Sequence, residues 1–337
     1  MQIHIRLGLA VSFSAIGIVL ASCALPGSEK PVTERISELP PINHPENNPT
    51  SPEKVALGAQ LFVDKRLSPD NTTACQGCHY RELGWTHGIA LSKRVDGQTN
   101  TRRSPPLYNV GHQTIWYWDG RSATMEAQTT AAWRNQMSAD PAKIAEKLNS
   151  IPPYKAQFNQ VYGADANGEN IVKSLTAYLR TKNSENSPWD QYEKGNMRAV
   201  SKDAVEGFTL FMGKGRCGVC HTPPHYGNST FFNIGLEAGK TRPDVGRFNV
   251  TKVDADMSAF KTPSLRSVAL KAPYFHDGSM PTLEAAVRYM AGGGGADPKK
   301  SPLMTPTGMT DAEIGKVVKF LESLTSTEQW KAPEIPN

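Results

Sequence analysis

Two five-residue segments, Cys75-Gln76-Gly77-Cys78-His79 and Cys217-Gly218-Val219-Cys220-His221, constrain this chain more than any other feature. In each, two thiols are spaced to bond the two vinyl groups of one haem, and the histidine behind them is placed to give a nitrogen to its iron. One such segment alone could be a redox dithiol or half of a zinc site. Two copies resist that reading, because zinc would draw both into one closed tetrahedral centre and would not require a histidine behind each cysteine pair. The reading is two covalent c-type haems. Cys75, Cys78, Cys217 and Cys220 are the attachment points, with His79 and His221 on the metals.

The chain has 337 residues, which suits roughly two domains at about 150 residues each. Of its five cysteines, four lie in the pentads and none is left for a disulfide. The fifth, Cys23, ends an apolar run from Leu7 to Leu20 that follows Arg6. That run falls short of the about 20 residues that span a bilayer and has the length of a signal-peptide core. Leu20-Ala21-Ser22-Cys23 resembles a bacterial lipobox. Residues 1–22 are therefore read as a lipoprotein signal peptide and Cys23 as the acylated first residue. Ala24 behind it points to the outer membrane, and the location is the periplasm. A plain secretory signal cut near Ala21 or Ala24 is the alternative. No other segment is apolar enough to cross a bilayer, so membrane contact is expected through the lipid anchor only. The net charge of +5 comes without a long basic run, so no nucleic-acid partner is expected.

Residues 23–50 are rich in Pro, Asn, Ser and Glu and read as a disordered tether. An N-terminal domain is expected over 51–195 and a C-terminal domain over 196–330. Ser51-Pro52-Glu53 opens a helix with Val55, Leu57, Leu61 and Phe62 on one face, and the first pentad follows. Ser201 opens a second helix with Val205, Phe208, Leu210 and Phe211, and the second pentad follows. Ala142–Leu148 and Ile171–Leu179 read as helices, and Thr310-Asp311-Ala312-Glu313 as the capping box of a last one. No long alternating pattern of a strand is present. The fold is expected to be mostly α with extensive loops, in two cytochrome c-like domains that each carry one covalent haem.

Several further segments carry a specific resemblance: Leu57-Gly58-Ala59-Gln60-Leu61-Phe62, Trp118-Asp119-Gly120-Arg121, Ser187-Pro188-Trp189-Asp190, Pro263-Ser264-Leu265-Arg266 and Pro273-Tyr274-Phe275-His276-Asp277-Gly278. With the paired pentads, the chain from about residue 53 to 324 resembles the bacterial dihaem cytochrome c peroxidase superfamily, which includes the MauG group. The resemblance implies that the haem on His79 is the peroxide-reducing centre and the haem on His221 an electron store. It implies that Trp118 lies between the haems and conducts electrons or holes. It puts Met290 at the distal position of the C-terminal haem, where MauG members have Tyr; Tyr289 is one residue away and would take over if the register shifted. It also implies Gln128 as a polar group of the distal pocket.

The chain departs from that pattern in three places. The peroxidase branch holds a distal His on a mobile loop, and here the loop Leu91–Gln98 has none. The first haem is therefore expected to be open, with His87 as a minor candidate ligand. Where the family has Glu before Met, this chain has Gln136-Met137, and an amide hydrogen-bonds peroxide but does not exchange its proton. Where an Asn and two carbonyls hold an interdomain calcium, this chain has Arg103. A guanidinium cannot ligate a cation, so calcium is in question, and Arg103 is expected to face the carbonyls of Lys271 and Pro273. A solvent-facing Arg103 with calcium held by other oxygens is the alternative. His112 and His225 are expected at the surface or near a haem rather than on iron, and His276 near the second haem but off its iron.

The function expected is reduction of hydrogen peroxide to water, with Gln128 and Gln136 polarising the peroxide. Electrons would come from a small donor protein, a cytochrome c or a cupredoxin, through the second haem and Trp118. One rival is a MauG-like oxidase acting on Trp or Tyr of a partner protein. The other is a non-enzymatic electron carrier or peroxide sensor. A homodimer is left open.

Overall fold

Ser51 accepts a hydrogen bond from the Lys54 amide and caps α1 (Pro52–Val63), whose buried face is Leu57, Leu61 and Phe62. The computed structural model describes residues 39–337; Cys23 and the signal segment lie outside the described residues. After the first pentad and a long loop come α2 (Met125–Gln136), α3 (Pro141–Asn149), α4 (Pro152–Tyr162), α5 (Gly168–Arg180) and α6 (Pro188–Glu193). The second half runs α7 (Lys202–Met212), the second pentad, the one-turn α8 (Phe248–Thr251), α9 (Leu283–Ala291) and α10 (Asp311–Ser323). Two-residue strands, β1 (Phe231–Phe232) and β2 (Phe260–Lys261), pair antiparallel. Among the described residues no helix is long and apolar enough to cross a membrane.

The same construction appears twice. In α1, Gly58 meets α5 so closely that a β-carbon on it would lie 1.9 Å from the Ser174 carbonyl oxygen. In α7, Gly207 meets α10, and a β-carbon would lie 2.0 Å from the Lys316 carbonyl oxygen. Both glycines are followed at the same spacing by a Leu-Phe pair, Leu61-Phe62 and Leu210-Phe211. The crossing needs a residue without a side chain, and the aromatic behind it fills the core beyond. Each half thus has its own hydrophobic core, one around Leu61, Phe62, Trp133 and Phe158 and one around Trp189, Phe208, Phe211 and Phe320.

The capping box expected at α10 forms, and a second one forms at α6. At α10, Thr310 and Glu313 exchange bonds; at α6, Ser187 and Asp190 do so. Asp190 then reaches the second half. Its carboxylate pairs with Arg266 at 2.9 Å, both side chains being almost fully buried. Arg266 also donates to the carbonyls of Pro224 and Ser184. Two segments that stood apart in the sequence, Ser187–Asp190 and Pro263–Arg266, are therefore one polar node.

Both ends of the body extend further than the sequence suggests. Asn48, inside the stretch read as tether, is fully buried and donates to Glu126 and Thr176. The segment after α10 returns to the first half, where Trp330 donates to the Tyr178 hydroxyl and packs edge-on to Trp85 at 5.2 Å.

Candidate haem sites

Each pentad histidine is held by the carbonyl of an aromatic residue just beyond it. His79 Nδ1 lies 2.9 Å from the Trp85 oxygen, and His221 Nδ1 lies 3.0 Å from the Tyr226 oxygen. A carbonyl only accepts, so Nδ1 carries the proton and Nε2 keeps its lone pair. Burial pushes both imidazoles down to about 4, which keeps them neutral and ligand-ready at ordinary pH. Trp85 and Tyr226 both adopt a left-handed backbone, φ 59° and 51°, uncommon for bulky side chains. Holding the imidazole is the common feature that accompanies this strain. The four pentad cysteines are unpaired, and burial raises Cys75 to about 12 and Cys217 to about 11. Neutral oriented histidines beside reduced thiols at this spacing fit two c-type haems, with Nε2 of His79 and His221 left to bind metal.

Around the first pentad, the loop that lacks a histidine is tied down. Val95 donates its amide to the Gln136 carbonyl at 3.0 Å, Asn100 to Ser92 at 2.9 Å, and Ser92 is buried. Gln136 ends α2, and Met137 behind it sits with its sulfur 4.0 Å from that of Cys75. Gln136 Oε1 is buried with no hydrogen-bond partner among the described residues. Gln128 lies two turns earlier on α2, about 12 Å along the axis, and its backbone carbonyl accepts from Tyr117. Gln136 is thus the amide linked to the pentad, and α2 does not bring the two glutamines side by side. His87 lies against Tyr80 at 5.8 Å between ring centres, with Nδ1 buried and unpartnered among the described residues.

Around the second pentad, α9 buries Ala286, Val287 and Ala291. At about 100° per residue, Met290 falls in the middle of that stripe and Tyr289 beside it. The Tyr289 hydroxyl is committed to the Ile234 carbonyl, and its ring lies 5.4 Å from Phe275. His276 is buried, donates Nε2–H to the Glu237 carboxylate at 2.9 Å, and stacks on Phe260. Its Nε2 is thereby occupied within the protein.

The two halves meet through a repeat that the sequence concealed. Residues 103–120 and 261–278 correspond at one fixed offset. Trp116 bridges Ser122 as Tyr274 bridges Met280. Tyr117 and Phe275 share a left-handed backbone, φ 68° and 69°, as do Gly120 and Gly278, φ 71° and 69°. In this register Trp118 corresponds to His276 and Arg103 to Lys261. The contacts are reciprocal: the Arg103 amide donates to the His276 carbonyl at 2.7 Å, and the Lys261 amide to the Trp118 carbonyl at 2.8 Å. Trp118 is fixed once more by its indole N–H, which donates to the Arg103 carbonyl.

One expectation is corrected at this seam. Arg103 is buried, and its guanidinium donates to the Ala272 carbonyl and the Thr86 hydroxyl rather than facing Lys271 and Pro273; the Lys271–Pro273 turn points the middle carbonyl at it. His112 and His225 are half-buried. Their rings lie 4.6 Å apart, and both line a cavity of about 90 Å³ with Gln113 and Lys261. Sequence reading also missed Trp85 and Tyr226 as holders of the histidines. The available signal was an aromatic residue at nearly the same distance behind each pentad.

Comparison with known proteins agrees with this architecture. A family model described as di-haem cytochrome c peroxidase matches residues 52–198, and a cytochrome c model matches residues 204–325. The methylamine utilization protein MauG of Methylorubrum extorquens is 37% identical over 84% of this chain and 81% of its own length. The cytochrome-c peroxidase IdrP1 of Denitromonas iodatirespirans is 34% identical over 96% of this chain and 93% of its own. A solved structure described as a MauG-like protein associated with microbial copper homeostasis superposes with a TM-score of 0.81 at 28% identity, covering 88% of this chain and 95% of that one.

Proposed function

This chain belongs to the dihaem cytochrome c peroxidase family of oxidoreductases, and from that premise we propose that it reduces hydrogen peroxide to water at the His79 half, with electrons delivered through the His221 half. The observation that carries the proposal is the buried, unpartnered Gln136 Oε1, linked through Met137 to Cys75, beneath a tied-down loop that has no histidine.

A bound haem at each pentad supplies iron for peroxide activation at one site and for electron storage at the other. The chain's own residues do the rest. His79 presents Nε2 because Trp85 holds its Nδ1–H. Gln136 Oε1 accepts a hydrogen bond from peroxide and orients it, but does not take its proton. Trp118, fixed on both sides of the seam, supports electron passage between the halves. Met290, on the inward stripe of α9, is the group we assign to the second iron, where a thioether favours an electron store over a reaction site.

In the net reaction, one peroxide takes up two electrons and two protons and leaves as two waters. The test is the holoprotein mixed with a reduced small cytochrome c and peroxide. Two equivalents of donor should be oxidised per peroxide, and exchange of His79 for Gly should abolish this. Oxidised haem that leaves every donor reduced would instead favour the second reading, an oxidase acting on Trp or Tyr of a partner protein. The loop without a histidine suits either reading, and Met290 in place of Tyr speaks against the second.

The proposal also places the protein in the periplasm, held to the outer membrane by a lipid on Cys23. Expressed from the full gene, the wild type is expected in the membrane fraction and Cys23→Ala in the soluble one. Fractionation of both with the soluble pool would refute the anchor.

A further inference from the structure

We infer that Arg103 is a built-in cation of the seam between the two halves, and that this chain holds the seam without the calcium that its family places there.

The first argument is the fixed-offset repeat. Arg103 and Lys261 occupy equivalent positions in the two halves, both are buried, and each donates across the seam into the equivalent loop of the other half. Arg103 reaches the Ala272 carbonyl; Lys261 reaches the Ile115 carbonyl at 2.9 Å and the Gln113 side chain. In the second half a buried lysine side chain already does this work. Arg103 does it in the first half too.

The oxygens that face Arg103 are, second, already bonded to its own guanidinium. Calcium needs about six to eight oxygen ligands, and the Ala272 and Thr86 oxygens are taken by the guanidinium. Lys271, also buried, donates from Nζ to the carbonyls of Ser264 and Arg266. Nearby carboxylates are committed elsewhere: Asp119 and Asp244 to Arg102, and Glu237 and Asp277 to Lys240. A dication would also meet the Arg103 guanidinium at close range.

The inference is independent of whether peroxide is the substrate. Its test uses the holoprotein, dialysed against a calcium chelator, with metal content and thermal unfolding as readouts. The wild type is expected to carry no stoichiometric calcium and to melt at the same temperature in chelator and in millimolar calcium. Arg103→Asn removes the cation and restores an oxygen ligand. It should melt lower in chelator, on the order of 10 °C, and recover part of that loss in calcium. One tightly held calcium per wild-type chain, or a fall in wild-type melting temperature on chelation, would overturn the inference. So would an Arg103→Asn protein that melts with the wild type in chelator.

Discussion

Exchange of Gln136 for Glu is expected to raise the rate of peroxide consumption by about 10²–10⁴-fold, the range over which a positioned acid–base group acts. Gln136 ends α2 with its side-chain oxygen buried and unpartnered, and Met137 behind it touches Cys75. A carboxylate there keeps the hydrogen-bond acceptor and adds a site that can take the peroxide proton and return it to the leaving oxygen. The variant should also gain a pH dependence: its rate should fall as acid protonates the new carboxylate, which an amide cannot show. The measurement is steady-state donor oxidation across pH for both proteins. Equal rates and equal pH profiles would mean that Gln136 does not face the reacting oxygen.

The largest effect on stability is expected at the Asp190–Arg266 pair. Both side chains are almost fully buried, and removal of one partner leaves the other charge without compensation in the interior, at a cost of about 3–5 kcal/mol. Asp190→Ala strands a guanidinium held otherwise by the carbonyls of Ser184 and Pro224. Arg266→Met strands a carboxylate that retains the Ser187 amide and hydroxyl but no cation. The double variant should recover much of the loss, because no buried charge remains. Denaturant unfolding of the two single variants and the double one measures the coupling; strictly additive losses would show that the pair acts as two separate anchors.

Much of the fold was legible because it was written locally. The caps at Ser51, Ser201 and Thr310 need only residues within one turn, and all three form. The pentads carry their chemistry in five residues. What stayed hidden was the long-range pairing. Segments 103–120 and 261–278 share backbone geometry and bridges, yet equivalent positions hold Trp118 and His276, or Arg103 and Lys261. A repeat preserved in backbone and altered in most side chains leaves only scattered identities to betray it, Pro105 with Pro263, Leu107 with Leu265, Val110 with Val268, and the two Asp-Gly pairs. The return of Trp330 to Trp85 and Tyr178 was hidden for a related reason, since an extended tail has no periodicity to declare its partner. The carbonyls of Trp85 and Tyr226 were missed because a main-chain acceptor leaves no mark on residue type.

The claim on which the account rests is that the two pentads are chemically unequal: the His79 half is open and the His221 half is closed by Met290. Titration of the ferric holoprotein with cyanide tests this directly, because cyanide binds a ferric haem that has a free coordination position. The account predicts that one haem per chain responds in the optical spectrum, and that Met290→Ala makes the second respond as well. Two responding haems in the wild type, or none, would contradict it.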